Sequence, residues 1–185
     1  MKTYQVGGSV RDELLGVEPH DKDWVVVGSS PEEMIEAGFK PIGKDFPVFL
    51  HPDTKEEYAL ARTERKSGKG YHGFKFYYDP SVTLEDDLLR RDLTINAIAK
   101  DSQGKLIDPF NGQDDLFNKK LRNVSDAFCE DPLRAIRLGR FLSYKHISDF
   151  SITPQLKAIV KKILDSGELN YLSGDRVFAE IDKAM

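Results

Sequence analysis

Apolar and polar positions follow two rhythms along this chain, and the change between them divides it. Up to Asp108, short apolar runs of strand length recur at Thr3 to Val6, Asp23 to Val27, Phe39 to Pro41, Val48 to His51, Glu56 to Ala61 and Lys105 to Asp108. Trp24 to Val27 is continuously apolar, the pattern of a strand covered on both faces. Pro52-Asp53-Thr54-Lys55 joins two of these runs as a hairpin turn, and Pro109-Phe110-Asn111-Gly112 reads as another turn. Helical stretches interleave with the strands. Ser9 to Leu15 ends near Gly16, and Ser30-Pro31-Glu32-Glu33 starts a second helix with a cap, a proline at the first helical position and acids facing the dipole. That helix stops at Gly38, and a third is predicted from Thr83 to Ala99, with Thr83 as cap and Glu85, Asp86 and Asp87 in its first turn.

Beyond Asn118 to Ser125 the period turns helical throughout. Asp131 to Lys145, Thr153 to Leu164 and Gly174 to Met185 are amphipathic, with no strand signal. The predicted architecture is an α/β head, a mixed sheet with helices, over residues 1–120, and an all-α unit over 121–185.

At 185 residues the chain can bury one substantial core, and 39% apolar with 31% charged residues describes a soluble protein. No apolar run is long enough to span a bilayer and Met1-Lys2-Thr3 leads straight into a strand, so a cytoplasmic location without membrane contact is expected. The single Cys129 has no internal disulfide partner, in keeping with a reducing compartment. A net charge of −4 argues against a protein that coats nucleic acid, and no DNA partner is expected. Positive charge is instead concentrated in two segments, Arg62 to Lys75 and Arg134 to Lys145, as if one face meets a polyanion.

Gly7-Gly8-Ser9-Val10-Arg11-Asp12 follows the first strand, where glycines let backbone N–H groups approach a phosphate and Arg11 adds a cation. It lacks the third glycine of a dinucleotide fingerprint, and no P-loop lysine follows. A short spacer later, Asp21-Lys22-Asp23 offers two hard carboxylates two residues apart, which on a strand edge face the same way and suit Mg²⁺. Glu57, entering its strand, is the candidate third acid. This pairing implies metal-assisted nucleotidyl transfer. His20-Asp21 does not signal a phosphohydrolase, since four histidines in the whole chain give no metal cluster. Ser67 to Gly73, with three glycines in seven residues, is a candidate lid beside the first basic run.

Arg90-Arg91-Asp92-Leu93-Thr94-Ile95-Asn96 is expected on the third helix, with Arg91 reaching triphosphate oxygens. In Glu130-Asp131-Pro132-Leu133-Arg134, proline fits the first helical position, Asp131 the cap, and Arg134 lies one turn on. A carboxylate accepts from an exocyclic amine and a guanidinium donates to a ring nitrogen, so an Asp131/Arg134 pair would take cytosine and adenine and refuse uracil and guanine. Arg137 and Arg140 continue the row.

Gly-Ser followed by Asp-x-Asp resembles the polymerase-β-type nucleotidyltransferases. All four ordered motifs, Gly-Gly-x-Val-Arg-Asp, Asp-x-Asp, Arg-Arg-Asp-x-Thr-x-Asn and Glu-Asp-x-x-Arg-x-x-Arg, resemble the bacterial class II tRNA nucleotidyltransferases, the CCA-adding enzymes. The resemblance implies nucleotide contacts from Gly8, Arg11, Arg91, Arg137 and Arg140, Mg²⁺ ligands at Asp21 and Asp23, and base selection by Asp131 and Arg134. It implies a head that holds metals, a helical neck that reads the base, CTP and ATP as substrates, and a tRNA 3′ end as acceptor. Body and tail helices that grip tRNA follow in that family, so a chain ending at Met185 is expected to be its head and neck. A bacterial poly(A) polymerase and a non-catalytic RNA- or nucleotide-binding module of the same fold are the alternatives.

Overall fold

The structure, a computed structural model, describes residues 1–42, 47–66 and 74–185. The stretch expected to act as a lid, residues 67–73, lies outside the described residues. In chain order the first elements are β1 (Lys2–Val6), α1 (Gly8–Leu14), β2 (Asp23–Val27), α2 (Pro31–Glu36), β3 (Lys40–Pro41), β4 (Val48–Leu50), β5 (Glu57–Leu60), β6 (Thr63–Lys66) and β7 (Phe74–Tyr77). There follow α3 (Leu84–Leu89), β8 (Ala99–Lys100), β9 (Leu106–Ile107), α4 (Gly112–Phe117), β10 (Lys120–Leu121), α5 (Leu133–Ser143), β11 (Ser151–Ile152), α6 (Pro154–Ser166) and α7 (Gly174–Asp182).

Seven strands form one sheet in the order β3-β4-β5-β2-β1-β8-β9. It is mixed as expected: β2 and β5 run parallel, and the other pairs are antiparallel. The register places Glu57 directly opposite Asp23, so the two acids lie side by side at the start of adjacent strands. β6 and β7 form a separate antiparallel hairpin. α2 opens as its sequence dictates, with Ser30 and Glu33 forming a reciprocal capping box ahead of Pro31. Among the described residues no helix is long and apolar enough to cross a membrane.

Four expectations change. The helix expected from Thr83 to Ala99 ends at Leu89, and the rest is a short 3-10 turn (Thr94–Asn96) followed by β8. Asp92, Thr94 and Asn96 supply the reason: their side chains compete with helical hydrogen bonding, Asp92 accepting from the Leu93 amide and the Asn96 side-chain amide. Leu93, Ile95 and Ile98 point the other way, fully buried. The expected turn is present at Pro109–Phe110, but Gly112, expected as its last residue, opens α4. The helical half carries a strand after all, since Ser151–Ile152 pairs in parallel with Lys120–Leu121. At the entrance of α5, Pro132 rather than Asp131 holds the cap position, although the Asp131 carboxylate still accepts from the Leu133 amide at 3.1 Å.

The largest core cluster joins Val10, Leu93, Ile95, Ile98 and Leu121 to Phe128, Leu138, Phe141, Ile147 and Leu156, so side chains on both sides of residue 120 share one interior. Asp12 ties the two parts further, accepting from Arg11 and meeting the His146 ring nitrogen at 3.1 Å. Gly112 is enforced by crowding rather than by conformation. A Cβ there would stand 2.3 Å from the Thr94 carbonyl oxygen and 2.8 Å from the Ile98 side chain. Gly112→Ala is therefore expected to lower stability by about 1–3 kcal/mol, read as a shift in urea midpoint at constant m-value.

Candidate active site

α1, the segment between α3 and β8, and helices α5 and α7 enclose a cleft of about 490 Å³ whose floor is the glycine loop and the first residue of β2. Gly7 has a φ of +75°, and a Cβ on it would lie 3.1 Å from Arg91 Nη1, so the loop backbone runs directly under that guanidinium. Eight arginines and Lys183 line the cleft against Asp23, Glu64, Asp92 and Asp131. A chain of net charge −4 has thus gathered its cations around one opening, which is a site for an anion.

The arginines are held in place by protein oxygens. Arg11, 4% exposed, forks onto Asp12 and donates to Asn96 at 2.8 Å, with Phe141 beneath it. Arg137 bonds Asp92 and Glu180, and Arg140 bonds Glu180 and the Tyr144 hydroxyl. Arg90 spans Glu64 and Asp87. Arg62 pairs with Glu64, and burial together with the neighbouring Arg90 lowers its pKa to about 10, which leaves it charged at neutral pH. Asp92 is buried, which alone would raise its pKa, but Arg137, Asn96 and Arg134 hold it well below the usual carboxylate range. Arg91 donates to Asp87 at 3.1 Å, and its buried Nε has no hydrogen-bond partner among the described residues. An unmatched guanidinium N–H beside a glycine loop points to an anionic ligand as the missing acceptor.

The base-reading candidates both line the cleft, joined by the Arg134 amide donating to the Asp131 carbonyl at 3.0 Å, while their side chains engage other partners. Arg134 donates to the carbonyls of Ala127 and Arg90, at 3.0 and 2.6 Å, while Asp131 accepts from Arg176 at 2.8 Å and from the Leu133 amide. Each is fixed by these bonds and retains capacity, since a carboxylate oxygen takes more than one hydrogen bond and a guanidinium has five N–H donors.

The carboxylate trio is looser than expected. Asp21 lies in a bend before β2 rather than on the strand, and only Asp23 reaches the main cleft. Asp21, Asp23 and Glu57 instead line a second cavity of about 610 Å³ on the far side of Asp23. Among the described residues no three His, Cys, Asp or Glu side chains are gathered closely enough to form a metal cluster. The remaining donors nevertheless fit a hard divalent cation that takes further ligands from phosphate and water. Burial raises the Asp23 pKa, Arg91 and Lys183 oppose the rise, and the Asp21 charge adds to it, so a carboxylate is being kept where a cation would relieve it.

Residues 3–122 match the family model described as the Poly A polymerase head domain. The chain belongs to that family. The chain is 59% identical over all 185 residues to the Multifunctional CCA protein of Acinetobacter baumannii, covering 45% of that relative. It spans about half the length of the curated relatives it matches. Its fold superposes on the Bacillus stearothermophilus CCA-adding enzyme in complex with CTP with a TM-score of 0.79, at 29% identity over 98% of this chain and 44% of that one. A tRNA nucleotidyltransferase complexed with a primer tRNA and an incoming ATP analog gives 0.72, at 32% identity over 98% and 52% of the two chains.

Several residues that line or brace the cleft carry no role in the sequence analysis. Arg176, Glu180 and Lys183 of the last helix line or brace the cleft, and Asp92 and Asn96 anchor Arg137 and Arg11. Their signals were periodic. Asp92, Thr94 and Asn96 interrupt an otherwise apolar run at every second position, and Arg176, Glu180 and Lys183 share a helix face by four- and three-residue steps.

Proposed function

We propose that this chain is the nucleotide-transferring part of a CCA-adding enzyme, which joins C, C and A to a tRNA 3′ end from CTP and ATP and releases pyrophosphate. The observation that carries the reading is the cleft itself: pre-oriented arginines converge above the Gly7-Gly8 loop beside Asp23. The likeness to proteins that are CCA-adding, one of them bound to CTP, supports it.

In this reading Gly8, Arg11 and Arg91 receive the triphosphate, with Arg137 and Arg140 behind them. Asp131 accepts from the exocyclic amine of cytosine or adenine, and Arg134 donates to the adjacent ring nitrogen. Asp21 and Asp23 would hold Mg²⁺, with Glu57 alongside, and the bound ion would offset charge on the reacting oxygens. The acceptor hydroxyl attacks the α-phosphorus, its proton passes to water, and the bond to the β-phosphate breaks with its electron pair on pyrophosphate. Fixing the arginines beforehand means that they need not reorganise when charge builds on the phosphoryl oxygens.

The family model's own description favours a second reading, a poly(A) polymerase. Supplying CTP alone to the protein and a tRNA that lacks its terminus separates the two. Two added C residues, followed by one A when ATP is supplied, is the expected result. ATP-only extension into a run would mean polyadenylation, and nucleotide binding without transfer would mean a non-catalytic module.

A further inference from the structure

Lys183 differs from every other cation of the cleft. Each of the eight arginines has its guanidinium engaged by protein oxygens, whereas among the described residues the Lys183 ammonium makes no hydrogen bond or ion pair. Its location is equally distinctive. The cleft lined by the arginines and the cavity lined by Asp21 and Glu57 have two residues in common, Asp23 and Lys183.

We propose that Lys183 is a catalytic residue whose ammonium contacts the phosphoryl group in transit, at the junction between the nucleotide cleft and a groove for the acceptor end. The assignment rests on the nucleotidyl-transfer reading above. The bond from the acceptor oxygen to the α-phosphorus forms as the bond to the β-phosphate breaks, and negative charge grows on the oxygens between the two cavities. A tethered arginine holds the triphosphate at a fixed point. An untethered ammonium on a four-carbon stem can close on the α-phosphoryl oxygens as the bond to the acceptor forms and the bond to the β-phosphate breaks. Lys183 neither gives nor takes a proton in this step. It offsets the growing charge, an interaction stronger in the transition state than in the bound nucleotide.

The ordinary alternative is a lysine placed just beyond α7 to complement the helix dipole. That role predicts a small loss of stability and no change in chemistry. Lys183→Met keeps the stem and removes the charge, and Lys183→Arg restores the charge. Single-turnover CMP addition to a tRNA lacking its terminus, CTP affinity by titration and the thermal midpoint are measured for both variants and their parent. For Lys183→Met we expect transfer about 100-fold slower with CTP affinity within about threefold of the parent and an unchanged midpoint, and for Lys183→Arg recovery of at least about tenfold. Transfer within about twofold of the parent, or a loss mirrored in CTP affinity or in the midpoint, overturns the assignment. A parent that binds CTP yet transfers nothing defeats the transfer reading itself, whatever the variants do, and the assignment falls with it.

Discussion

Asp23→Asn should slow CMP transfer by on the order of 10³-fold while leaving the fold as stable as before or more so. The substitution keeps the shape of the side chain and removes the charge at the one acid that lines both cavities. In the proposed reading Asp23 holds the metal, and loss of such a carboxylate forfeits several kcal/mol of transition-state charge stabilisation, which sets the size of the rate effect. The stability effect has the opposite sign for a separate reason. Asp23 has a raised pKa because it is crowded by protein and stands near Asp21, so at neutral pH its charge works against the folded state. A neutral amide removes that opposition. Rate by single-turnover incorporation and stability by urea midpoint, measured on the same preparation, check both halves. A variant that is inactive because it has unfolded would lower both together, and that outcome would remove Asp23 from the reaction.

What the sequence made readable was the framework of strands and the chemical character of the cleft. β1, β2, α1 and α2 lie within a residue or two of their predicted places because each is local: an apolar run, a glycine turn, a capping box. The segment after α3 failed because its competing bonds are made to distant residues, Thr94 to Asp115 and Asp92 to Arg137, and no local window contains both partners. α7 was readable as amphipathic but not in which side it buries. It turns Glu180 inward, 6% exposed, against Arg137 and Arg140, and leaves Phe178 at 65%. A charged stripe can face the interior only when an opposite stripe awaits it, and that stripe belongs to α5. The arginines of the cleft were identified by type and spacing. Their engagement by Asp12, Asp92, Glu180 and backbone carbonyls depends on the tertiary fold.

Asp92→Ala is expected to lower stability by about 3–5 kcal/mol, the effect of stripping one partner from a buried ion pair. Its carboxylate receives the Leu93 amide at 2.8 Å, the Asn96 side chain at 3.0 Å and the Arg137 Nε at 2.9 Å; alanine leaves these donors without their acceptor and Arg137 with Glu180 alone. The pH dependence gives an independent check. Asp92 has a folded pKa below its ordinary value of 3.8, so its contribution is complete above that value and is lost as pH falls through the lower, folded one. The gap in urea midpoint between parent and variant should accordingly be constant near neutrality and narrow from about pH 4 downwards. A gap that stays the same through the acid range would mean that packing, not the ion pair, is what alanine removes. Combining Asp92→Leu with Arg137→Leu should cost less than the sum of the two single changes, because no charge is then left buried alone.

The interior shared by Val10 and Leu93 on one side with Phe128, Leu138 and Phe141 on the other has a consequence for how the molecule comes apart. A helix that discriminates bases and a loop that grips phosphate are ordinarily free to open at different free energies, and amide exchange would then distinguish them. Here they draw on the same buried side chains. Loosening α5 uncovers the support under α1, so the helix proposed to choose the nucleotide and the loop proposed to hold it belong to one cooperative unit and are lost in the same event.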